Sequence, residues 1–407
     1  MSHRRIVILG GFGFGNLGDD LILRSALLEL RRTLKDAEIA VLSNNPHETR
    51  ERHAEITIFS PEALFRQIIL RVLSRISNSY RKYVLQIPPD SFRRLLVSIR
   101  DADLVVSLGG GYLNDYSKFL THSRLCELIF FGLCHKRLVL IGHEIGPLRR
   151  ITLRLMARLA FKFAAYVTVR DERSLQTLSG LGLPSEKFSV TADESWAYEP
   201  RAARESGLDV IVQGEPVFAV NLMPFEVLTN VPSVTGIGDV DAERANERML
   251  SGLASWLSSQ TVKPQRIVFL SMSAGDAKLA SRLEETLERR IPVEIISDLD
   301  SQYRALGRSQ VVLSMRMHPI IMAAQMKVPA IAIATLAKID ATMKELGLAD
   351  YVVPAIFDAQ RTQDAFDRAL KNKRRIRAVI EESIEGLRRR ARLNTGVVYK
   401  LITGRIS

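Results

Sequence analysis

Arg5-Ile6-Val7-Ile8-Leu9-Gly10, then Gly13-Phe14-Gly15-Asn16-Leu17-Gly18-Asp19-Asp20, then Glu38-Ile39-Ala40-Val41-Leu42: the reading of this opening stretch decides the fold. A short apolar run ending in glycine reads as a buried strand, and the 3.6-residue spacing at 20–34 reads as a helix. Strand, helix and strand in that order make a βαβ unit, whose two strands run parallel. The pattern recurs with strands at 103–108, 138–141, 166–169 and 187–190, and with helices at 149–163 and 172–181. A polar stretch at 198–215 without periodicity reads as a linker. Strands at 217–222, 266–270, 293–296, 311–314 and 330–334 then restart the alternation. The expectation is an α/β protein with two Rossmann-like domains, at 1–205 and 206–360, facing each other across a cleft. Basic helices at 361–407 follow, and terminal helices in such an architecture cross back to the first domain. Their charges, as in Lys371-Asn372-Lys373-Arg374-Arg375, read as a solvated face.

Size and charge agree with this reading. A chain of 407 residues exceeds one ordinary core. Hydrophobic residues at 46% and charged residues at 25% describe a soluble globular class. No apolar run approaches the roughly 18 residues of a membrane span. Met1-Ser2-His3-Arg4-Arg5 leads straight into a strand with no small-residue cleavage site, so no signal peptide and a cytoplasmic location are expected. Cys126 and Cys134 lack a partner cluster for zinc and read as a reduced pair on one helix or its end. The net charge of +12 suits anionic substrates and anionic lipid. It is not accompanied by the aromatic and basic interleaving of a nucleic-acid binder.

The loop Gly13 to Gly18 satisfies G-x-G-x-x-G between a strand and a helix, the context of a dinucleotide fingerprint. The second strand, however, runs into Ser43-Asn44-Asn45 with no carboxylate for a ribose, and Asp19 and Asp20 repel a pyrophosphate. The loop suits a saccharide better. Its glycines admit a flat ring, and Asn16, Asp19 or Asp20 can accept hydrogen bonds from hydroxyls, with one carboxylate capping the helix. Gly109-Gly110-Gly111 forms a second loop, with Tyr112, Asn114 and Asp115 beyond it, and Gly142-His143-Glu144 a third. Three strand ends converging on one crevice mark a substrate site.

The run Ser314-Met315-Arg316-Met317-His318-Pro319 places an arginine and a histidine at a strand's carboxyl end. A guanidinium holds carboxylate or phosphate bidentately, and an imidazole moves a proton near neutral pH. Arg170, followed by Asp171-Glu172-Arg173-Ser174, stands in a similar context.

Together these motifs resemble the polysaccharide pyruvyl transferase family. The resemblance is carried in order by Gly15 to Asp20, Leu108 to Gly111, Gly142-His143-Glu144-Ile145-Gly146-Pro147, Arg170 to Ser174, Ala192-Asp193, Met315 to His318, and Lys338. It implies the two-domain glycosyltransferase shape (GT-B-like). It also implies transfer of the three-carbon unit of phosphoenolpyruvate onto sugar hydroxyls as a pyruvate ketal, in bacterial exopolysaccharide or cell-surface polysaccharide biosynthesis. Phosphoenolpyruvate is then a co-substrate, with no cofactor and no metal. Arg170, Arg316, His318 and Lys338 would bind this donor, although Thr335-Leu336-Ala337 stands where the family has a Tyr-Asp-Pro-like stretch. His318 would protonate the methylene carbon, and the arginines would favour departure of phosphate. Asn16, Asp19, Asp20, Gly110, Gly111, Asn114, His143 and Glu144 would face the acceptor. The base remains open among Asp19, Asp20, Glu144 and His143.

A rival reading is a GT-B glycosyltransferase using a nucleotide sugar. It needs a ribose-binding glutamate after Arg316, yet no carboxylate follows until Asp340. A non-catalytic partner at a membrane surface is a further rival. Phe65, Ile68, Ile69, Val72, Leu73 and Ile76 fall on one helical face, with Arg66, Arg71 and Arg75 opposite. Such a helix fits an anionic membrane, where a lipid-linked acceptor would lie.

Overall fold

The computed structural model describes residues 4–53, 56–60, 89–116, 118–134, 136–201, 217–227, 242–259, 266–287 and 291–404. The expected helix at 65–76 and most of the expected linker at 198–215 lie outside these residues. The chain divides into two compact units, Met1–Ala197 with Arg389–Ser407 and Tyr198–Arg388.

In the first unit the elements follow as β1 (Arg5–Leu9), α1 (Leu17–Thr33), β2 (Glu38–Leu42), α2 (Pro46–Arg52), β3 (Thr57–Phe59), α3 (Pro89–Asp101) and β4 (Leu104–Leu108). Then come α4 (Lys118–Leu133), β5 (Leu138–His143), α5 (Ile151–Phe163), β6 (Ala164–Val169), α6 (Glu172–Ser179) and β7 (Phe188–Val190). The strands form one parallel sheet in the order β3-β2-β1-β4-β5-β6-β7. Successive residues point to opposite faces, and both faces are covered. Val7, Leu9, Val105, Leu138 and Leu140 meet α3, α4, α5 and α6 on one side. Ile6, Ile8, Val106, Val139 and Ile141 meet α1 on the other. Each such side chain contributes about 1.5–3 kcal/mol by leaving water.

The second unit repeats the plan. Its elements are β8 (Val217–Asn221), α7 (Ala242–Ser259), β9 (Arg266–Leu270), α8 (Ala274–Thr286), β10 (Val293–Ile296), α9 (Leu299–Arg308) and β11 (Ser309–Ser314). They continue with α10 (Met317–Gln325), β12 (Ala330–Ala334), α11 (Ala337–Glu345), β13 (Val352–Pro354), α12 (Ala359–Lys371) and α13 (Lys373–Ile402). The parallel sheet runs β10-β9-β8-β11-β12-β13. In each sheet the order reverses beside its first strand, between β1 and β4 and between β8 and β11. Ligands of open α/β sheets bind at such switch points. Among the described residues no helix is long and apolar enough to cross a membrane.

The edge strands β3 and β13, three residues each, are not among those that periodicity picks out.

The thirty-residue helix α13 starts in the second unit and ends in the first. Val398, Leu401 and Ile402 join α1 on the first sheet. Its basic residues are not all solvated: Arg390 donates to the Thr191 carbonyl at 2.6 and 2.9 Å, and Arg392 pairs with Glu29 at 3.4 Å. Asn394 is wholly buried. Its Oδ1 accepts from the Thr168 and Thr191 hydroxyls at 2.5 and 2.6 Å. Its Nδ2 donates to the Ala192 carbonyl at 3.0 Å and to Glu194 at 2.9 Å. Replacing it strands several buried polar atoms at once. Asn394→Ala should therefore lower stability by at least about 2 kcal/mol in urea unfolding; an unchanged midpoint would show that the network is not needed.

Candidate functional site

The carboxyl ends of β1, β4, β5 and β6 carry the polar chemistry of the first unit. The loop after β1 is shaped by glycine. Gly13 has φ +78°, and a Cβ on it would lie 2.2 Å from the Asn45 amide nitrogen. Asn16 caps α1 by accepting from the Gly18 amide at 3.0 Å, so the cap is this amide side chain and neither aspartate. Asp19 and Asp20, about 100° apart around the helix, part company. The half-buried Asp19 turns to the loop, where its Oδ2 would be 3.1 Å from a Cβ on Gly11. Asp20 turns inward and pairs with Arg52, and burial, the largest cause, pushes its carboxyl up to about 6. It therefore belongs to the contact with α2 and not to an acceptor wall.

After β4, a Cβ on Gly109 would lie 2.0 Å from the Gly142 carbonyl, so only glycine lets the β4 and β5 loops touch. Gly110 lies under the Tyr112 ring, 2.2 Å from the position of an added Cβ, and Gly111 is exposed. Tyr112 is buried and donates to the Leu108 carbonyl. Asn114 is also buried, donating to the Gly111 carbonyl at 2.8 Å and accepting from the Tyr116 amide at 2.9 Å. It braces the loop.

His143 is likewise moved off the rim. As the last residue of β5 it is wholly buried. Its Nε2 lies 3.0 Å from the Ser107 carbonyl and 3.1 Å from the Ser107 hydroxyl. The ring therefore donates from Nε2. Burial, aided by the charge of Arg170, lowers its pKa to about 4, so it is neutral near pH 7 and holds two strand ends together. Strand alternation explains the placement: Glu144, one residue on, faces out.

Glu144 is held by Arg170. That guanidinium, 5% exposed, donates to Glu144 and, at 2.7 Å, to Asp193, with Asp171 at 3.9 Å. Asp193 in turn accepts from the Ser195 amide at 3.0 Å and hydroxyl at 2.5 Å. Arg170 thus anchors a carboxylate array at the β6 end, its fork filled by protein acids.

Arg124 of α4 and Phe14 add two residues that periodicity does not single out. The Arg124 guanidinium, 8% exposed, pairs with buried Glu127 at 2.6 Å. It lies 5.8 Å from the Phe14 ring centroid and 5.7 Å from that of Tyr112. Phe14 itself is 55% exposed, between Gly13 and Gly15, both of positive φ. An apolar ring is thus presented to solvent with a cation against it.

In the second unit the switch point holds a second array. Arg316, between β11 and α10, extends to Asp276 at 2.6 Å and to the Ser273 hydroxyl at 3.3 Å. Asp276, wholly buried in the first turn of α8, also accepts from the Met272 amide at 3.1 Å. Asn221 at the end of β8 donates to the Leu270 carbonyl at 2.8 Å and accepts from Ser314 at 3.1 Å. His318 lies half-buried in the first turn of α10, and Lys338 half-buried in the first turn of α11. Since β11 and β12 are neighbours, Arg316, His318 and Lys338 share one sheet end where helix amides and dipoles favour an anion.

A family model described as polysaccharide pyruvyl transferase matches residues 16–336. The chain belongs to that family. The amylovoran biosynthesis protein AmsJ of Erwinia amylovora is 21% identical over 375 residues, covering 84% of this chain and 86% of AmsJ. Among solved structures, the Neisseria meningitidis UDP-GlcNAc 2-epimerase bound to UDP-GlcNAc superposes with a TM-score of 0.59 at 12% identity, over 98% of this chain and 100% of that one. Anabaena HepE in complex with UDP-glucose gives 0.57 at 13%, over 99% of both chains. At such identities the likeness shows the fold, which is GT-B.

For this pyruvyl transferase family member, sequence reading found the sheet ends but missed the acids behind them. Asp276 shows in the sequence only as Ser273-x-x-Asp276, a helix-start signature, and its pairing with Arg316 forty residues away is tertiary. Glu194 is missed for the same reason. It is wholly buried, one oxygen bound to Asn394, and burial pushes its carboxyl up to about 8. A carboxyl whose folded value exceeds its ordinary 4.5 keeps a proton that the unfolded chain loses, so its contribution is lost as pH rises through about 8. His143 and Asp20 titrate in the wild type and the variant alike, so comparing the two isolates Glu194. Glu194→Gln should thus melt several degrees above the wild type at pH 8 and match it near pH 5; melting curves that stay parallel across that range would contradict a protonated Glu194.

Proposed function

We propose that the protein transfers the pyruvate unit of phosphoenolpyruvate onto saccharide hydroxyls, releasing phosphate and forming a ketal during synthesis of a cell-surface polysaccharide. The observation that carries this reading is the grouping of Arg316, His318 and Lys338 at the ends of β11 and β12, on helix N-termini. Asp276 fixes one edge of the Arg316 fork. The same carboxylate offsets part of the arginine charge that would repel a protonated imidazole. A compact dianionic or trianionic donor fits that chemistry.

The steps follow from the donor's structure. His318 gives a proton to the methylene carbon, and positive charge develops at the phosphate-bearing carbon. A sugar hydroxyl adds there and loses its proton to a base, and phosphate leaves. A second hydroxyl then adds to the same carbon and loses its proton, closing the ring. One proton is thus taken up at carbon and two are released from oxygen. In the first unit Glu144, oriented by Arg170, and Asp19 are the carboxylates suited to act as base. His143 and Asp20 are buried and drop out. Arg170 acts as a positioning residue. Phe14 supplies a face for the carbon-bound hydrogens of a sugar ring, and Asp19 accepts from its hydroxyls.

The deciding measurement is phosphate release from phosphoenolpyruvate with a panel of saccharide acceptors, and mass analysis of the product. A ketal adduct supports the reading, whereas turnover of nucleotide sugars in the same panel would replace it with glycosyl transfer. His318→Gln should keep the donor KM within a few-fold and lower kcat by roughly 10²–10⁴. A fully active variant would move the acid elsewhere. Phe14→Ala should raise the acceptor KM by about tenfold while leaving the donor KM unchanged; the opposite pattern would place Phe14 on the donor.

A further inference from the structure

Helix α5 packs on the first sheet through Leu153, Ala157, Ala160 and Phe161, all in the core. Its other face is not the polar surface such a helix ordinarily shows. Ile151, Leu155 and Leu159, one turn apart, are 66%, 60% and 43% exposed. Leu133 at the end of α4 is 62% exposed. It follows Gly132, above whose backbone the Phe163 ring of α5 lies within 2.5 Å of an added Cβ. An apolar patch therefore extends from α5 towards the end of α4.

The charged side chains of this helix have one sign. The helix sequence Ile151-Thr152-Leu153-Arg154-Leu155-Met156-Ala157-Arg158-Leu159-Ala160-Phe161-Lys162-Phe163 contains no acid, and Arg149 and Arg150 precede it. Arg149, Arg158 and Lys162 are exposed, while Arg154 leans away to the Gly180 carbonyl at 2.6 Å. At 100° per residue, Arg158 and Lys162 lie within about 60° of the stripe. The nearby Asp115 accepts from the Arg149 backbone amide at 2.5 Å.

We propose that this face of α5 is a reversible docking surface for an anionic phospholipid bilayer. Ile151, Leu155 and Leu159 enter the interface, and Arg149, Arg158 and Lys162 lie against the headgroup phosphates. Charge selects the occupant. A second copy of the chain would bring the same cations onto the same stripe and be repelled, whereas an anionic leaflet attracts each of them. The inference does not depend on the donor or on the reaction.

Flotation of the full chain with phosphatidylcholine vesicles, and with vesicles about one-third phosphatidylglycerol, tests it. The protein should float only with the anionic vesicles and be released by salt. Leu155→Ser with Leu159→Ser, and separately Arg158→Glu with Lys162→Glu, should each weaken partition by about tenfold. These positions are exposed, so matching melting curves will show that both variants fold. Three results would overturn the proposal: indifference of the wild type to anionic vesicles, wild-type flotation by both variants, or a dimer in sedimentation that Leu155→Ser dissociates while no vesicle is bound.

Discussion

A parallel sheet covered by helices on both faces can show polar side chains to a substrate only at its ends. The central strands β1, β4 and β5, with Val7 beside Ala40 and Val105, lie between two apolar layers where an unpaired polar group is costly. Chemistry is therefore forced to the loops after the strands. It concentrates where the strand order reverses, because the connecting helices diverge there to opposite faces. The glycine loops after β1 and β4 and the Ser314–Arg316 turn after β11 all occupy such positions.

Strand ends in turn carry charge only where a counter-charge is built in. Arg170 is buried and would be intolerable alone, but Glu144 and Asp193 surround it. Arg316 is matched by Asp276, itself held by a backbone amide and a serine. The two sites differ in what remains. The first presents carboxylates held by an arginine, suited to accepting protons from hydroxyls. The second presents a cation fixed at one edge by an acid, beside an imidazole and a lysine, suited to an anion.

Much of this arrangement was legible. The β2, β9, β10 and β12 boundaries agree with the periodicity residue for residue; in β2, β9 and β12 uninterrupted apolar runs of four or five residues leave no alternative. The basic tail was less so: Arg390 and Arg392 look solvated in sequence, and both have partners on the first unit. Among the site residues, Glu144, Asp19, Arg316 and His318 stand at the strand ends where their motifs suggest. Asp20, Asn114 and His143 sit in the same motifs and are buried; for Asp20 one step along the helix turns the side chain by about 100°, and for His143 one step along the strand reverses it.

Sequence alone determined what depends on neighbours along the chain: the order of strands and helices, the glycines that turn the loops, and the basic and aromatic residues that follow them. Tertiary structure alone decided which of those residues face out and which acid meets which base. The pairs Arg316 with Asp276, Arg170 with Asp193, and Asn394 with Thr168, Thr191 and Glu194 join residues far apart in sequence. No local propensity records such a pairing, because its free energy exists only once the sheets have formed and water has been excluded.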